Sequence, residues 1–178
     1  MTEHIFLIGY RGAGKSTIGR LLAAALDFAF VDTDQMVCHK RNMEISQIVA
    51  REGWESFRRS EAEAIVEAAA GPVKVVATGG GAVLHQEAWQ QIRKRIFVVW
   101  LSADIATLAA RLSPTGEDGR PSLTGRDNRA EIEEVLAERL PLYSGLADLE
   151  VDTGKYGTAE VVGKIVEMYR ERCGRSEG

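Results

Sequence analysis

The chain is poor in cysteine: of its 178 residues only Cys38 and Cys173 carry a thiol, in neither a Cys-x-x-Cys nor a metal-ligand spacing. That excludes a disulfide scaffold and a cysteine-built zinc site, and it suits a reducing compartment. Long apolar runs are missing as well; none is long enough to span a bilayer. No basic segment leads into a long apolar run at the start, so no signal peptide and no membrane partner are expected, and a cytoplasmic location is. Positive charge is not in excess: 22 Lys and Arg against 26 Asp and Glu give a formal charge of −4, which argues against general nucleic-acid binding. There is no internal repeat and no low-complexity tract. What is left, 45% hydrophobic and 27% charged, is the composition of a globular protein, expected as one domain over 1–178. No coiled-coil pattern or long exposed apolar stripe calls for an oligomer, so a monomer is expected. An acidic protein that handles anions must gather its arginines locally, which makes single arginines informative.

The most informative stretch is Gly9-Tyr10-Arg11-Gly12-Ala13-Gly14-Lys15-Ser16, which reads G-x-x-x-x-G-K-S. The apolar run Ile5–Ile8 precedes it, and Thr17–Leu26 follows with Ile18, Leu21, Leu22 and Ala25 at helical spacing. A glycine-rich turn that binds nothing is the plain alternative. The strand–loop–helix context favours a phosphate-binding loop, in which backbone N–H groups and the helix N-terminus face phosphate oxygens. Gly12, Ala13, Gly14, Lys15, Ser16 and Thr17 are then the nucleotide-binding residues. Lys15 would reach the β- and γ-phosphates, and the Ser16 hydroxyl would ligate Mg²⁺.

Strand-like apolar runs recur at 28–31, 73–77, 96–101 and 149–151, mostly continuous rather than alternating, with helical patterns between them. Such runs point to a parallel sheet covered on both faces, a doubly wound α/β fold whose ligands sit at the carboxyl ends of the strands. The second strand ends in Asp32-Thr33-Asp34. Asp32 is the candidate for Mg²⁺, directly or through water, and Asp34 for accepting hydrogen bonds from substrate hydroxyls; capping of the next helix competes for either residue. Residues 35–70 carry two helical patterns broken near Gly53; the second has the apolar stripe Phe57, Ala64, Ile65 and Ala68. Arg58 and Glu61 lie three apart on one side of it, either a surface ion pair or an arginine oriented to grip a ligand carboxylate. Gly79-Gly80-Gly81 closes the third strand, where a ligand lying on bare backbone or a flexible turn would each account for three glycines.

Beyond the fourth strand, Ser102 and Asp104 open a helix expected to reach Leu112. The irregular stretch 113–127 follows, rich in Gly, Pro and charge, with Arg111, Arg120 and Arg126 in or beside it. A lid carrying Arg120 to a γ-phosphate, or a loop with spare positive charge, fits this composition. Pro141 is expected to kink or end the helix from about Ala130, leaving Arg139 just before the break as a second carboxylate-binding candidate or an exposed arginine. Asp152-Thr153-Gly154-Lys155 after the last strand could border an adenine. A final amphipathic helix carries Val161, Val162, Ile165, Val166 and Tyr169.

Together the phosphate loop, D-T-D at 32–34, F-R-x-x-E at 57–61, G-G-G at 79–81, G-R-P at 119–121 and R-x-P-x-Y at 139–143 resemble shikimate kinase, a similarity running to about residue 155. The resemblance implies a nucleoside-monophosphate-kinase-like fold with a five-stranded sheet of order 2-3-1-4-5, a substrate-binding segment at about 33–61 and a lid at about 112–126. It implies ATP-dependent phosphorylation of the shikimate 3-hydroxyl, on the route to chorismate and the aromatic amino acids. By the matching positions Asp34 holds the shikimate hydroxyls and accepts the proton, and Lys15 and Arg120 serve the transferred phosphate. Arg58 and Arg139 bind the carboxylate, and Gly79, Gly80 and Gly81 line the substrate pocket. Ser16 and Asp32 serve Mg²⁺, and Arg111, Arg120 and Lys155 face the nucleotide. The chain departs from the family at Ser122-Leu123, where many members have two leucines. A gluconate-type kinase is the nearest rival. A nucleoside monophosphate kinase is disfavoured because Asp34 would oppose a phosphate on the acceptor, and a nucleotide-gated binding module that has lost catalysis is disfavoured by the intact Lys15, Ser16, Asp32, Asp34 and Arg120.

Overall fold

The computed structural model describes residues 3–112 and 128–175, so Arg120, Arg126 and the expected lid beyond Leu112 lie outside the described residues. Five strands, β1 (His4–Ile8), β2 (Ala29–Asp32), β3 (Lys74–Ala77), β4 (Ile96–Ser102) and β5 (Leu149–Asp152), form one parallel sheet of order β2-β3-β1-β4-β5. The helices between them are α1 (Lys15–Leu26), α2 (Thr33–Arg41), α3 (Ile45–Ala68), α4 (Gln86–Ile92), α5 (Ile105–Arg111), α6 (Asn128–Leu146) and α7 (Thr158–Arg175). The expected α/β fold and strand order are therefore both present.

The continuous apolar runs have the predicted cause. β1 is buried along its whole length, and Ile96 through Trp100 of β4 beside it have almost no exposure. Edge strand β2 is exposed or half-buried throughout, and Phe30 is held there because Gly19 of α1 has no side chain to block its ring. β1 pairs with β3 on one side and β4 on the other, so the chain reverses its direction of winding at β1. That reversal opens a crevice beyond the carboxyl end of β1, where the phosphate loop begins.

Several local expectations shift. In α1 the buried face is Ile18, Leu22 and Ala23, whereas Leu21 and Ala25 point outward. Residues 33–68 hold α2 as a separate helix, and α3 bends at Gly53, whose φ of 82° only glycine adopts at low cost. The stripe of Phe57, Ala64, Ile65 and Ala68 is buried as read from the sequence. α5 starts at Ile105, one residue after Asp104, whose side chain caps it by accepting from the Thr107 N–H at 2.7 Å; Ser102 stays in β4. α6 does not end at Pro141 but runs on to Leu146. Proline there forgoes one helical hydrogen bond, and the anchoring of its neighbours Arg139 and Tyr143, described below, holds the helix across the gap.

Candidate active site

The loop from Gly9 to Gly14 turns sharply between β1 and α1, with positive φ at Gly9, Gly12 and Gly14. At Gly9 the requirement is also steric, since a β-carbon would run into the Leu101 carbonyl oxygen of β4. Lys15 opens α1 and is 8% exposed; its Nζ donates to the carbonyls of Gly9 and Tyr10 at 2.8 Å each, which curls the side chain back over the loop. Gly12, Ala13, Gly14, Lys15, Ser16 and Thr17 line a cleft of about 660 Å³ together with Asp32, Asp34 and Arg111.

Asp32 caps α2 with one carboxylate oxygen and leaves the other facing the Ser16 hydroxyl. Its Oδ1 caps α2 by accepting from the N–H groups of Asp34 (3.0 Å) and Gln35 (3.4 Å), while its Oδ2 accepts from the Ser16 hydroxyl at 2.7 Å. A hydroxyl and a carboxylate in contact at the rim of a phosphate cleft are hard oxygen donors of the kind Mg²⁺ takes when substrate phosphates complete its shell. Arg111 closes the far side: Nη1 donates to the Gly12 carbonyl (3.2 Å) and to Thr153 Oγ1 (2.9 Å), and Nη2 to the Thr153 carbonyl (2.7 Å). The phosphate loop is thereby tied to the turn after β5. Thr153 and Tyr156 from that turn line the cleft; Lys155 does not, because its exposed ammonium pairs with Asp152 at 3.2 Å and borders a groove along β5 and α7.

A second pocket adjoins this cleft, lined by Tyr10, Arg11, Ile45, Trp54, Phe57, Arg58, Glu61, Gly80, Gly81 and Arg139. The bend at Gly53 lets the first part of α3 supply Ile45 while the second part supplies Phe57, Arg58 and Glu61. Arg58 Nη1 donates to Glu61 Oε2 at 2.6 Å, and the guanidinium lies 5.5 Å from the Trp54 ring centroid and 5.6 Å from that of Phe57. This is not a surface pair, since the Glu61 side chain is 1% exposed. Burial pushes the Glu61 pKa up, but the hydrogen bond from His85 and the charge and hydrogen bond of Arg58 outweigh it, leaving the carboxyl below its usual range.

The three glycines turn out to have different partners. A β-carbon at Gly79 would collide with the Glu61 and Asp34 carboxylates, and one at Gly81 would coincide with the Arg58 guanidinium. The bare backbone thus first makes room for the pocket's own charged side chains. Gly80 instead presents its carbonyl to two donors one helical turn apart on α6, Arg139 Nη1 and Tyr143 Oη, each at 2.9 Å. Tyr143 is fully buried, stacks on Trp100 at 5.7 Å and 13°, and has its hydroxyl pKa pushed up to about 12 by that burial. Arg139 is 6% exposed, and its Nε has no hydrogen-bond partner among the described residues. Two arginines thus stand beside a glycine wall, and the buried Nε–H of Arg139 has no partner among the described residues, a donor set of the chemistry that a carboxylate accepts.

Comparison with known proteins gives the family. The shikimate kinase family profile matches residues 11–170. The chain belongs to the shikimate kinase family. "Shikimate kinase 2" of Dickeya chrysanthemi is 49% identical over 172 residues, 96% of this chain and 98% of that one. Among solved structures, a shikimate kinase from Acinetobacter baumannii in complex with shikimate aligns with a TM-score of 0.89 at 28% identity, covering 97% of this chain and 95% of the other. A gluconokinase from Sinorhizobium meliloti aligns with a TM-score of 0.60 at 18% identity, over 98% and 95% of the two chains, which is likeness of fold alone.

Sequence reasoning missed Arg11, His85 and Tyr143, which lie in or around these two cavities. Arg11 occupies a variable position of the loop motif, yet it lines both cavities and lies 4.0 Å from the buried Glu131 of α6. Tyr143 was visible only as the last letter of R-x-P-x-Y; its i, i+4 spacing from Arg139 was the available signal.

Proposed function

We propose that this protein transfers the γ-phosphoryl group of ATP to the 3-hydroxyl of shikimate, giving shikimate 3-phosphate and ADP on the way to chorismate and the aromatic amino acids. The observation that carries the reading is the adjacency of two unlike cavities: a phosphate-loop cleft with Lys15, Ser16, Asp32 and Asp34, and a pocket with Arg58 and Arg139, meeting at Gly80, which lines both.

In this reading the loop backbone from Gly12 to Thr17 cradles the ATP phosphates and Lys15 neutralises the β- and γ-oxygens. Ser16 and Asp32 hold Mg²⁺, which supplies charge neutralisation at the phosphates when bound. Arg58 and Arg139 fix the shikimate carboxylate, the Gly79–Gly81 segment supports the ring, and Asp34 orients the 3-hydroxyl and takes its proton. Arg111 borders the nucleotide beside Thr153, whereas Lys155, the adenine-side candidate of the same turn, stays outside the cleft in its pair with Asp152. Arg120, outside the described residues, is assigned to the transferred phosphate from a lid over 112–126. Rate enhancement then comes mostly from positioning and from charges already in place. The chain is taken to act as a single domain, a monomer, in the cytoplasm.

The test is ADP release by the purified protein with ATP and Mg²⁺, with shikimate, gluconate, a nucleoside monophosphate or no acceptor. Stimulation by shikimate alone is expected. Stimulation by gluconate instead would transfer the arginine pocket to another acid, and nucleotide binding without stimulation by any acceptor would leave a binding module.

A further inference from the structure

Glu61 does not belong to Arg58 alone. His85, in the turn between the glycine segment and α4, brings its Nε2 to 2.8 Å from the same Oε2 that accepts from Arg58. The carboxylate is buried, and the His85 side chain is only 12% exposed. A carboxylate can only accept, so Nε2 must carry the hydrogen, with the ring neutral or cationic. The trio of Arg58, Glu61 and His85 therefore carries no net charge when His85 is neutral and a net charge of +1 when it is protonated.

We propose that His85 is a positioning residue for the carboxylate-binding arginine, and that its protonation frees Arg58 from Glu61 and strengthens capture of an anionic substrate. The inference rests on the shikimate kinase reading only in identifying the anion. The geometry is one of shared acceptance: a cationic imidazole takes a larger part of the charge on Oε2, and the Arg58 fork, which reaches Glu61 through Nη1 alone, is left with more of its charge for a ligand.

Charged groups face His85 from the elements packed around it. Glu63 and Glu67 of α3 and Glu87 of α4 line the groove that His85 borders, with Lys40 of α2, which pairs with Glu67 at 3.4 Å and Glu63 at 3.6 Å. On the inner side the Asp34 and Glu61 carboxylates converge on the position a side chain at Gly79 would take, and α6 contributes Arg139 to Gly80. Of these side-chain types, imidazole is the one that ordinarily changes its charge near neutral pH.

The experiment is steady-state kinetics from pH 5.5 to 8.5 on the wild type, His85→Gln and His85→Leu, with shikimate and with its uncharged methyl ester. For the wild type, KM for shikimate is expected to rise about fivefold as His85 loses its proton, the size of effect one unit charge has through a partly solvated interior. kcat and the KM for ATP should not follow that curve, and neither should the ester. His85→Gln, which keeps an N–H donor without the charge, should hold KM at the high-pH wild-type value throughout. His85→Leu, which strips Glu61 of a donor, should raise KM further at every pH. In the wild type, shikimate should also raise the pKa of the His85 ring followed by NMR, since binding and protonation are reciprocal. A His85→Gln variant with the wild-type pH profile, a profile shared by the ester or by ATP, or an imidazole pKa that shikimate does not move would each overturn the proposal. Shikimate turnover with a flat KM profile sinks only the role of His85, whereas no shikimate turnover at all sinks both readings.

Discussion

Two carboxylates in this molecule, Glu61 buried and Asp148 half-buried, are each gripped by arginine, at opposite ends of the sheet's strands. Glu61 lies beyond the carboxyl end of β3, and Asp148 lies immediately before the amino end of β5. Asp148 is saturated: Arg93 engages both oxygens at 2.8 Å, Arg172 adds a bond at 3.3 Å, and the Val98 N–H donates to Oδ2 at 2.8 Å. Glu61 receives one nitrogen of Arg58 and one of His85, both on the same oxygen. The difference separates structure from function. A carboxylate that uses up its arginines joins α7 and β5 to β4 and has nothing to offer a ligand. One that takes a single N–H from its arginine orients the guanidinium and leaves the rest of the fork for something else.

The sharpest way to break that contrast is at the unsaturated arginine. Arg58→Ala should weaken shikimate binding about 100-fold or more, as expected for losing a charge-assisted, bidentate-capable donor in a partly buried pocket. ATP binding measured by titration calorimetry should change less than about threefold, because Arg58 does not line the phosphate cleft. Equal losses for the two ligands would make Arg58 a structural residue like Arg93. Gly81→Ala should approach the same loss of shikimate affinity, on the order of 30-fold, without removing any charge. Its β-carbon occupies the guanidinium's place, so Arg58 must move. Near-normal affinity in that variant would mean that the arginine's position is immaterial.

At the saturated end the expected effect is on stability. Asp148→Asn should lower unfolding free energy by about 2 kcal/mol at neutral pH, read by urea denaturation, since it weakens several hydrogen bonds to one half-buried group. KM for either substrate should stay as it is. Burial pushes the Asp148 pKa up, but the Arg93 hydrogen bond and charge and the Val98 N–H together hold it below the ordinary aspartate value. A depressed folded-state pKa means that the stabilisation is present above the unfolded value near 4 and fades as pH falls through the lower folded value. The wild type and Asp148→Asn should therefore converge in stability in strong acid. A constant gap down to low pH would show that the carboxylate's charge is not what matters.

The same contrast shows how much could be read from the chain. The phosphate loop, the sheet and the charged residues near strand ends are local in sequence, so their spacing carried them. Asp32, Arg58 and Arg139 were each legible with a competing reading, and the structure shows why spacing could not choose. Asp32 caps α2 and takes the Ser16 hydroxyl with different oxygens. Whether Arg58–Glu61 was a surface pair depended on His85 and Gly79, 24 and 18 residues further along. His85 gave no signal because nothing in its neighbourhood marks a histidine as the partner of a carboxylate on another helix. Pro141 does not end α6, since the helix-breaking rule is local and α6 is held on both sides of it by contacts to Gly80 and Trp100.

The smallest expected effect concerns the other end of the nucleotide cleft, where Arg111 and Lys155 repeat the contrast among exposed residues. Arg111 spends its fork on the Gly12 and Thr153 backbone and so sets the distance between the phosphate loop and the last turn. Lys155 is 75% exposed, and among the described residues its ammonium pairs with the carboxylate of Asp152. A solvated pair of this kind contributes little to binding or stability. Lys155→Ala should therefore change KM for ATP by less than about twofold, whereas Arg111→Ala should raise it about tenfold by releasing the loop from the turn. A large rise in KM for Lys155→Ala, with kcat unchanged, would mean that the lysine leaves Asp152 for the nucleotide when ATP binds. Exposure in the free protein would then be a poor guide to which cations on this rim serve the nucleotide.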